Sequence, residues 1–340
     1  MTRLNRPEVY GIVFVVALVV GAILVAGANP FEVARAAVQR ALFTRAGFLE
    51  ALLRTVPLTI MGLGIALSFR AGVFNIGMDG QLIAGSALAV ALAPWLPGGA
   101  AGIALFLALG IAGGAAWGGI AGLIKARLGG NEIITTIMLT YVATQLLSWL
   151  VRGPMQEKMR IIPRSDPIDA ALRLPVIVEG TRIHAGFLVA VLAVVATAFV
   201  VRRGRYGFKL DVVGQNASAA AYAGMNPAAI AGMVLAVSGG FAGLAGAVEI
   251  SGVYGRLQEG FAPGFGISAI AVALVVRLNP WLVPVSALGF SLLYAGLGSV
   301  AQKALVPFPL INIIEGAVVF LFLAASVMPA RVPAGAKSDG

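Results

Sequence analysis

The chain has 340 residues, 59% of them hydrophobic and 11% charged, against about a quarter charged in a soluble domain. The expectation is an all-α, polytopic membrane protein of about ten transmembrane helices, at roughly 20 residues each, with no sizeable soluble domain. Cysteine is absent and His184 is the one histidine, which excludes thiol chemistry, disulfides and most zinc sites and disfavours an enzyme. The net charge of +10 lies in loops between spans, pointing to lipid headgroups and partner proteins rather than nucleic acid.

Arg3 and Arg6 precede an apolar run over 10–28 that is longer than a usual signal core and reads as a retained first span. Asn29-Pro30 opens a segment in which Val38, Leu42, Leu49, Leu52 and Leu53 recur at helical spacing, read as an interfacial amphipathic helix over about 31–55. Span two, Val56 to Phe69, and span three, Gln81 to Leu96, are each short for a bilayer of roughly 30 Å. Between them Gly72-Val73-Phe74-Asn75-Ile76-Gly77-Met78-Asp79-Gly80-Gln81 brings amides, a carboxylate and glycines to membrane depth. Such a sequence survives there only where protein or a water-filled path surrounds it, so it predicts a broken helix at a functional site.

Span four, Gly99 to Ile124, carries Gly110, Gly114, Gly118 and Gly122 on one face, where another backbone is expected to pack. Asn131 and Glu132 cap and charge-stabilise span five, through Val151. Residues 152–184, with Pro154, Pro163, Pro167 and Pro175, form the longest polar loop, and His184 at its boundary reads as solvated. Span six ends near Val201, before the basic run Arg202-Arg203-Gly204-Arg205-Tyr206-Gly207-Phe208-Lys209. A short helix from Ala217 to Met225 follows, capped by Asn216 and ended by Gly224.

Span seven, Ala228 to Ile250, carries Gly239, Gly243 and Gly246. A second glycine-rich break then runs from Gly252 through Tyr254, Glu259 and Gly264 into Phe265 and Gly266. The helix after it, Ile267 to Leu274, echoes Ala84 to Leu92. Spans eight, nine (Trp281 to Ala301) and ten (Pro309 to Met328) complete the count. Two breaks five spans apart give the layout of an inverted repeat. Positive charge does not set orientation, because a cytoplasmic amino terminus puts half of the 24 basic residues on each side; only the cluster from Arg202 to Lys209 favours the inside for its loop.

Phe74-Asn75-Ile76-Gly77-Met78-Asp79-Gly80-Gln81 resembles the Phe-Asn-Ile-Gly-x-Glu-Gly-Gln signature of ABC-importer permeases in the nucleoside and simple-sugar branch of the ribose and branched-chain amino acid permease family. The segment Asn131 to Leu139 is similar to that family's Asn-Glu-Val-Ile-x-Thr-Ile-Met-Leu, and Val213 to Asn226 to its coupling segment. Asp79 stands where glutamate is common, and Gln215 replaces a frequent glutamate.

The resemblance implies one transmembrane permease domain over 1–340, in a bacterial cytoplasmic membrane with both termini inside. It implies an extracytoplasmic loop over 152–184 and a cytoplasmic coupling loop over 202–227. It also implies a second permease chain, two ATP-binding subunits carrying ATP and magnesium, and an extracytoplasmic binding protein. No Gly-x-x-x-x-Gly-Lys-Ser/Thr loop occurs in this chain, in agreement with a separate ATPase. The solute implied is a nucleoside, with a ribose-like sugar as the alternative. An ion-coupled secondary transporter is the rival, since it too uses broken helices and inverted repeats.

Asn75, Asp79 and Gln81 have two readings: they line the path, or they cap and brace broken helix ends. Phe74, Tyr254 and Phe265 flank the breaks as stacking faces for a base or as packing aromatics. Glu249, Glu315 and Asn312 read as interhelical hydrogen-bond partners. Gly214, Asn216, Ala220, Tyr222 and Gly224 are assigned to ATPase coupling.

Overall fold

The computed structural model describes residues 27–302 apart from 262 and 263, with a few positions on either side. Most of the expected first span, and the tenth with Asn312 and Glu315, lie outside the described residues. The described elements are helices: α1 (Pro30–Phe43), α2 (Arg45–Arg70), α3 (Met78–Leu92), α4 (Ala100–Leu128), α5 (Glu132–Arg152), α6 (Gly186–Arg203), α7 (Arg205–Gln215), α8 (Ala217–Tyr222), α9 (Pro227–Glu249), α10 (Phe265–Val275) and α11 (Val283–Gln302). Among the described residues, α2, α4, α5, α6 and α9 with its continuation to Tyr254 are long and apolar enough to cross a membrane. This is a multi-pass membrane protein.

The expected interfacial helix over 31–55 is cut at Thr44. The Thr44 hydroxyl donates to the Arg40 carbonyl at 2.7 Å and accepts from the Gly47 N–H at 3.2 Å, ending one helix and capping the next. Residues 45–55 therefore belong to α2, whose 26 residues reach about 39 Å. The short second span is corrected accordingly: no breaker separates Leu53 from Val56, and Pro57 is absorbed within the helix. Helices α3 and α10, with 15 and 11 residues, reach only about 22 and 16 Å, short of a bilayer core.

Helix α2 is the centre of the bundle, buried along most of its length, whereas α5 is largely exposed. The glycines of α4 meet a backbone as expected, and that backbone is α9. A Cβ on Gly122 would lie 2.5 Å from the Gly232 carbonyl oxygen, and one on Gly110 2.8 Å from that of Gly243. Small residues on both faces let the two axes approach, which is how helices associate where lipid supplies no hydrophobic drive. The two helices run antiparallel, since Gly110 meets Gly243 while Gly122 meets Gly232.

Candidate functional site

The first break is held by side-chain amides. Asn75 and Gln81, six residues apart, pair reciprocally: Asn75 Nδ2 donates to Gln81 Oε1 at 2.8 Å, and Gln81 Nε2 donates to Asn75 Oδ1 at 3.0 Å. Asn75 Nδ2 also donates to Ser238 Oγ of α9 at 2.9 Å, and Asn75 Oδ1 accepts from the Gly77 N–H at 3.1 Å. All three side chains are buried. The two amides thus satisfy each other away from water, and Asn75 gives the Gly77 N–H of the non-helical stretch its partner. Ser238 was not singled out in the sequence, because serine in an apolar helix gives no sign of which neighbour it meets.

Asp79 lies in the first turn of α3, yet the free N–H it accepts belongs to a different helix. Its Oδ1 takes the Gly266 N–H of α10 at 2.7 Å, joining residues 187 positions apart. The two sequence breaks are therefore brought together, with the N-termini of α3 and α10 converging on one carboxylate. Both ends carry positive dipole charge, which favours an anion there. From this junction the half-helices diverge. Helix α3 leads to Gly99, whose N–H donates to Ala171 of the long loop at 3.1 Å. Helix α10 leads to Leu278, whose carbonyl lies 3.4 Å from Arg70 Nη1 at the opposite end of α2.

The aromatic candidates do not form one cluster. Phe74 is 46% exposed and meets Phe69 edge to face at 4.9 Å. Tyr254 meets Phe261 at 6.0 Å. Phe265 is buried under the Arg54 guanidinium, 4.8 Å from its ring, and the same guanidinium lies 3.1 Å from the Tyr294 ring. Arg54, in the middle of α2, was not singled out; an arginine well inside an apolar helix is itself a functional signal. Glu249 is buried at the end of α9, within the fields of Arg54 and Arg182.

Span seven ends later than expected, because α9 continues as a π-helical turn, Ile250–Tyr254, an irregularity frequent at functional sites. The long loop is ordered against this second break. Ser165, Ile168 and Leu174 donate their N–H groups to the carbonyls of Leu257, Gly255 and Ser251 at 2.8, 2.9 and 3.1 Å. His184 is not solvated but fully buried: its Nδ1 accepts the Gly186 N–H at 3.1 Å, and its ring fills the space beside Gly252. Burial, with Arg182 nearby, lowers its pKa to about 4. Glu259 is drawn down to about 2 by its hydrogen bonds from Arg152 and Ser148.

At the other end, α8 spans Ala217–Tyr222, slightly shorter than expected. Asn216 Oδ1 accepts from Ala219 N at 3.0 Å, and Gly224 at φ +81° allows Met225 N to close on the Ala220 carbonyl at 3.0 Å. Ala220 is buried while Tyr222 is 94% exposed. The preceding α7 is clamped to the base of the first break. Asp211 takes Arg70 Nε at 2.9 Å and Nη2 at 3.4 Å. Gly214 lies directly on the Arg70 carbonyl, so the approach leaves no room for a Cβ.

Residues 47–324 match the family described as branched-chain amino acid transport system, permease component. The glucose ABC transporter permease TsgB13 of Haloferax volcanii is 39% identical over 95% of this chain and 88% of its own length. The guanosine ABC transporter permease NupP of Bacillus subtilis is 35% identical over 82% of this chain and 80% of its own. The nucleoside ABC transporter permease NupB of Lactococcus lactis is 28% identical over 82% and 79%. No solved structure matches. The chain belongs to the branched-chain amino acid transport system permease family, as a permease subunit of an ABC transporter and not as its ATPase.

Proposed function

We propose that this chain forms one half of the translocation path of an ATP-driven importer, and that its solute is a nucleoside. The observation that carries the reading is the meeting of two half-helix N-termini at Asp79, the arrangement by which transporters build a solute site near mid-membrane. In this reading Asp79 pins the junction and Asn75 with Gln81 braces it, while Phe74, Tyr254 and Phe265 offer aromatic faces along the path. The divergence of α3 and α10 toward opposite faces supports an inverted repeat within ten spans.

The loop over 152–184 faces the binding protein. Gly214, Asn216, Ala220, Tyr222 and Gly224 shape the cytoplasmic element that seats on the ATP-binding subunits, which carry ATP and magnesium. Both termini are then cytoplasmic, in a bacterial cytoplasmic membrane. A second permease packs on the exposed face of α5, where Ile134, Met138, Tyr141 and Trp149 are uncovered. Closure of the ATPases moves the coupling element and, through it, the junction, opening the path alternately to each side.

The guanosine and nucleoside relatives support a nucleoside; the glucose relative, at 39% identity over nearly the whole chain, favours a sugar as the second reading. Reconstitution with the cognate permease, ATPase and binding protein separates them. The expected result is ATP-dependent guanosine uptake competed by other nucleosides and not by glucose. Glucose uptake insensitive to nucleosides moves the assignment to sugar, and uptake without the ATPase overturns both.

A further inference from the structure

Two hollows on one side of α9 share a residue. The larger, about 740 Å³, lies between α4, α6 and α9 and has entirely apolar walls, among them Ile111, Leu192, Ala196 and Phe241. The smaller, about 480 Å³, is walled by Tyr206, Lys209 and Asn226. Met233 lines both. From Ala229 to Leu244 the α9 lining residues recur at steps of three and four, so they form one helix face and the hollows are one furrow.

The furrow's dimensions and charge select an occupant. Its apolar part runs from Met233 to Leu244, about 16 Å along the helix, which is close to half of a hydrocarbon core of roughly 30 Å. At its other end Lys209 lines the wall, Arg205 stands one turn before it on α7, and Arg202 and Arg203 close the adjoining α6; all four are exposed. None of them pairs with a carboxylate among the described residues, and Asp211, the acid on α7, is held by Arg70. A site one leaflet deep, apolar along its length and positive at its mouth, has the chemistry of a single phospholipid with an anionic headgroup.

We propose that this furrow holds one anionic glycerophospholipid, its phosphate beside Lys209 and Arg205 and an acyl chain against α9 from Met233 to Leu244. The site needs only that the spans lie in a bilayer, although its mouth adjoins the proposed coupling element, since Gly224 lines the smaller hollow. Native mass spectrometry of the purified transporter, titrated with dioleoyl phosphatidylglycerol or dioleoyl phosphatidylcholine, tests the headgroup. We expect one phosphatidylglycerol retained per chain with about a tenfold preference, lost in Arg205→Glu/Lys209→Glu. No preference in the natural chain, or an unchanged preference in that variant, overturns the proposal.

Because the chain lacks cysteine, a bimane on Val237→Cys reads the tail in a separate sample with the cations intact. Brominated phosphatidylglycerol should quench it more than brominated phosphatidylcholine. Equal quenching overturns the proposal, as does shielding of the label by another helix of this chain or of a second permease.

Discussion

Replacing Asn75 by leucine separates a bracing amide from a path-lining one. Asn75 takes part in four buried hydrogen bonds, with Gln81 twice, Ser238 and Gly77. The substitution leaves both ends of the Gln81 amide and the Gly77 N–H without partners in the packed interior and takes the Asn75 contact from the Ser238 hydroxyl. At about 1–3 kcal/mol for each unmet buried group, the single variant should lose about 3 kcal/mol or more. Gln81→Leu alone leaves one N–H of the Asn75 amide unmet, since Oδ1 keeps the Gly77 N–H and Nδ2 keeps Ser238, and should cost about 1 kcal/mol on the same scale. The double variant removes both partners, so only the Gly77 N–H and the Ser238 hydroxyl lose a contact. It should therefore be less destabilised than the sum of the singles by about 3 kcal/mol, the upper end of what neighbouring groups show. Thermal melting of the detergent-purified transporter measures the cycle. Additive losses refute the reciprocal pair, and an Asn75→Leu variant that melts like the natural chain while losing transport assigns Asn75 to the path.

Gly114→Leu places a Cβ 2.7 Å from Gly243 Cα and should cost about 3 kcal/mol by forcing α4 from α9. Gly119→Ala, whose nearest neighbour is 3.8 Å away, should melt at or above the natural temperature. His184, held near pKa 4 by burial and then by Arg182 against an ordinary 6.5, favours the folded state fully above pH 6.5. That contribution fades as pH falls toward 4, so His184→Phe should flatten the melting profile across this window, and an unchanged slope would refute the buried neutral imidazole. The Arg70–Asp211 pair is partly exposed, so Asp211→Asn should shift stability by about 1 kcal/mol or less. In reconstituted transporter it should lower solute moved per ATP by up to about fivefold. Arg70→Asp/Asp211→Arg should restore part of that ratio, and an unaltered ratio in Asp211→Asn would refute the linkage.

What was legible from sequence was whatever depends on near neighbours in the chain. Glycines at steps of four on α4 announced a close backbone, and Asn216 and Asn131 announced caps found at 3.0 and 2.9 Å. The break at 72–77 was legible because polar and glycine residues interrupt an apolar run. What was not legible required knowing which distant segment lies alongside. Nothing near Asp79 says that its partner N–H lies 187 residues on. Ser238 and Arg54 take their meaning from neighbours across the bundle. Polarity at a loop boundary usually means solvent, but at His184 the loop folds back onto the second break and encloses the ring. At the start of α2, Thr44, a single cap residue, outweighs a helical period that continues on both sides of it.

The contacts at the two ends of α10 constrain how movement can pass through the chain. Its N-terminus is tied to α3 through Asp79, and just beyond its C-terminus Leu278 meets Arg70. Arg70 also holds Asp211 of α7, while Gly214 of α7 rests on the Arg70 carbonyl. Under the proposed coupling a displacement of α7 acts first on the end of α2, through the backbone contact of Gly214 with Arg70, and on the foot of α10 through the Arg70 side chain. Helix α10, reaching about 16 Å, can carry that displacement as a rod to the half-helix junction. The Asp79 contact is one charge-assisted hydrogen bond, stronger than a neutral one but still a single contact. The glycine seam between α4 and α9, by contrast, is close-packed backbone with nothing to yield. Under the proposed coupling, the junction at Asp79 is the element that gives way and the α4–α9 pair is the frame against which it moves.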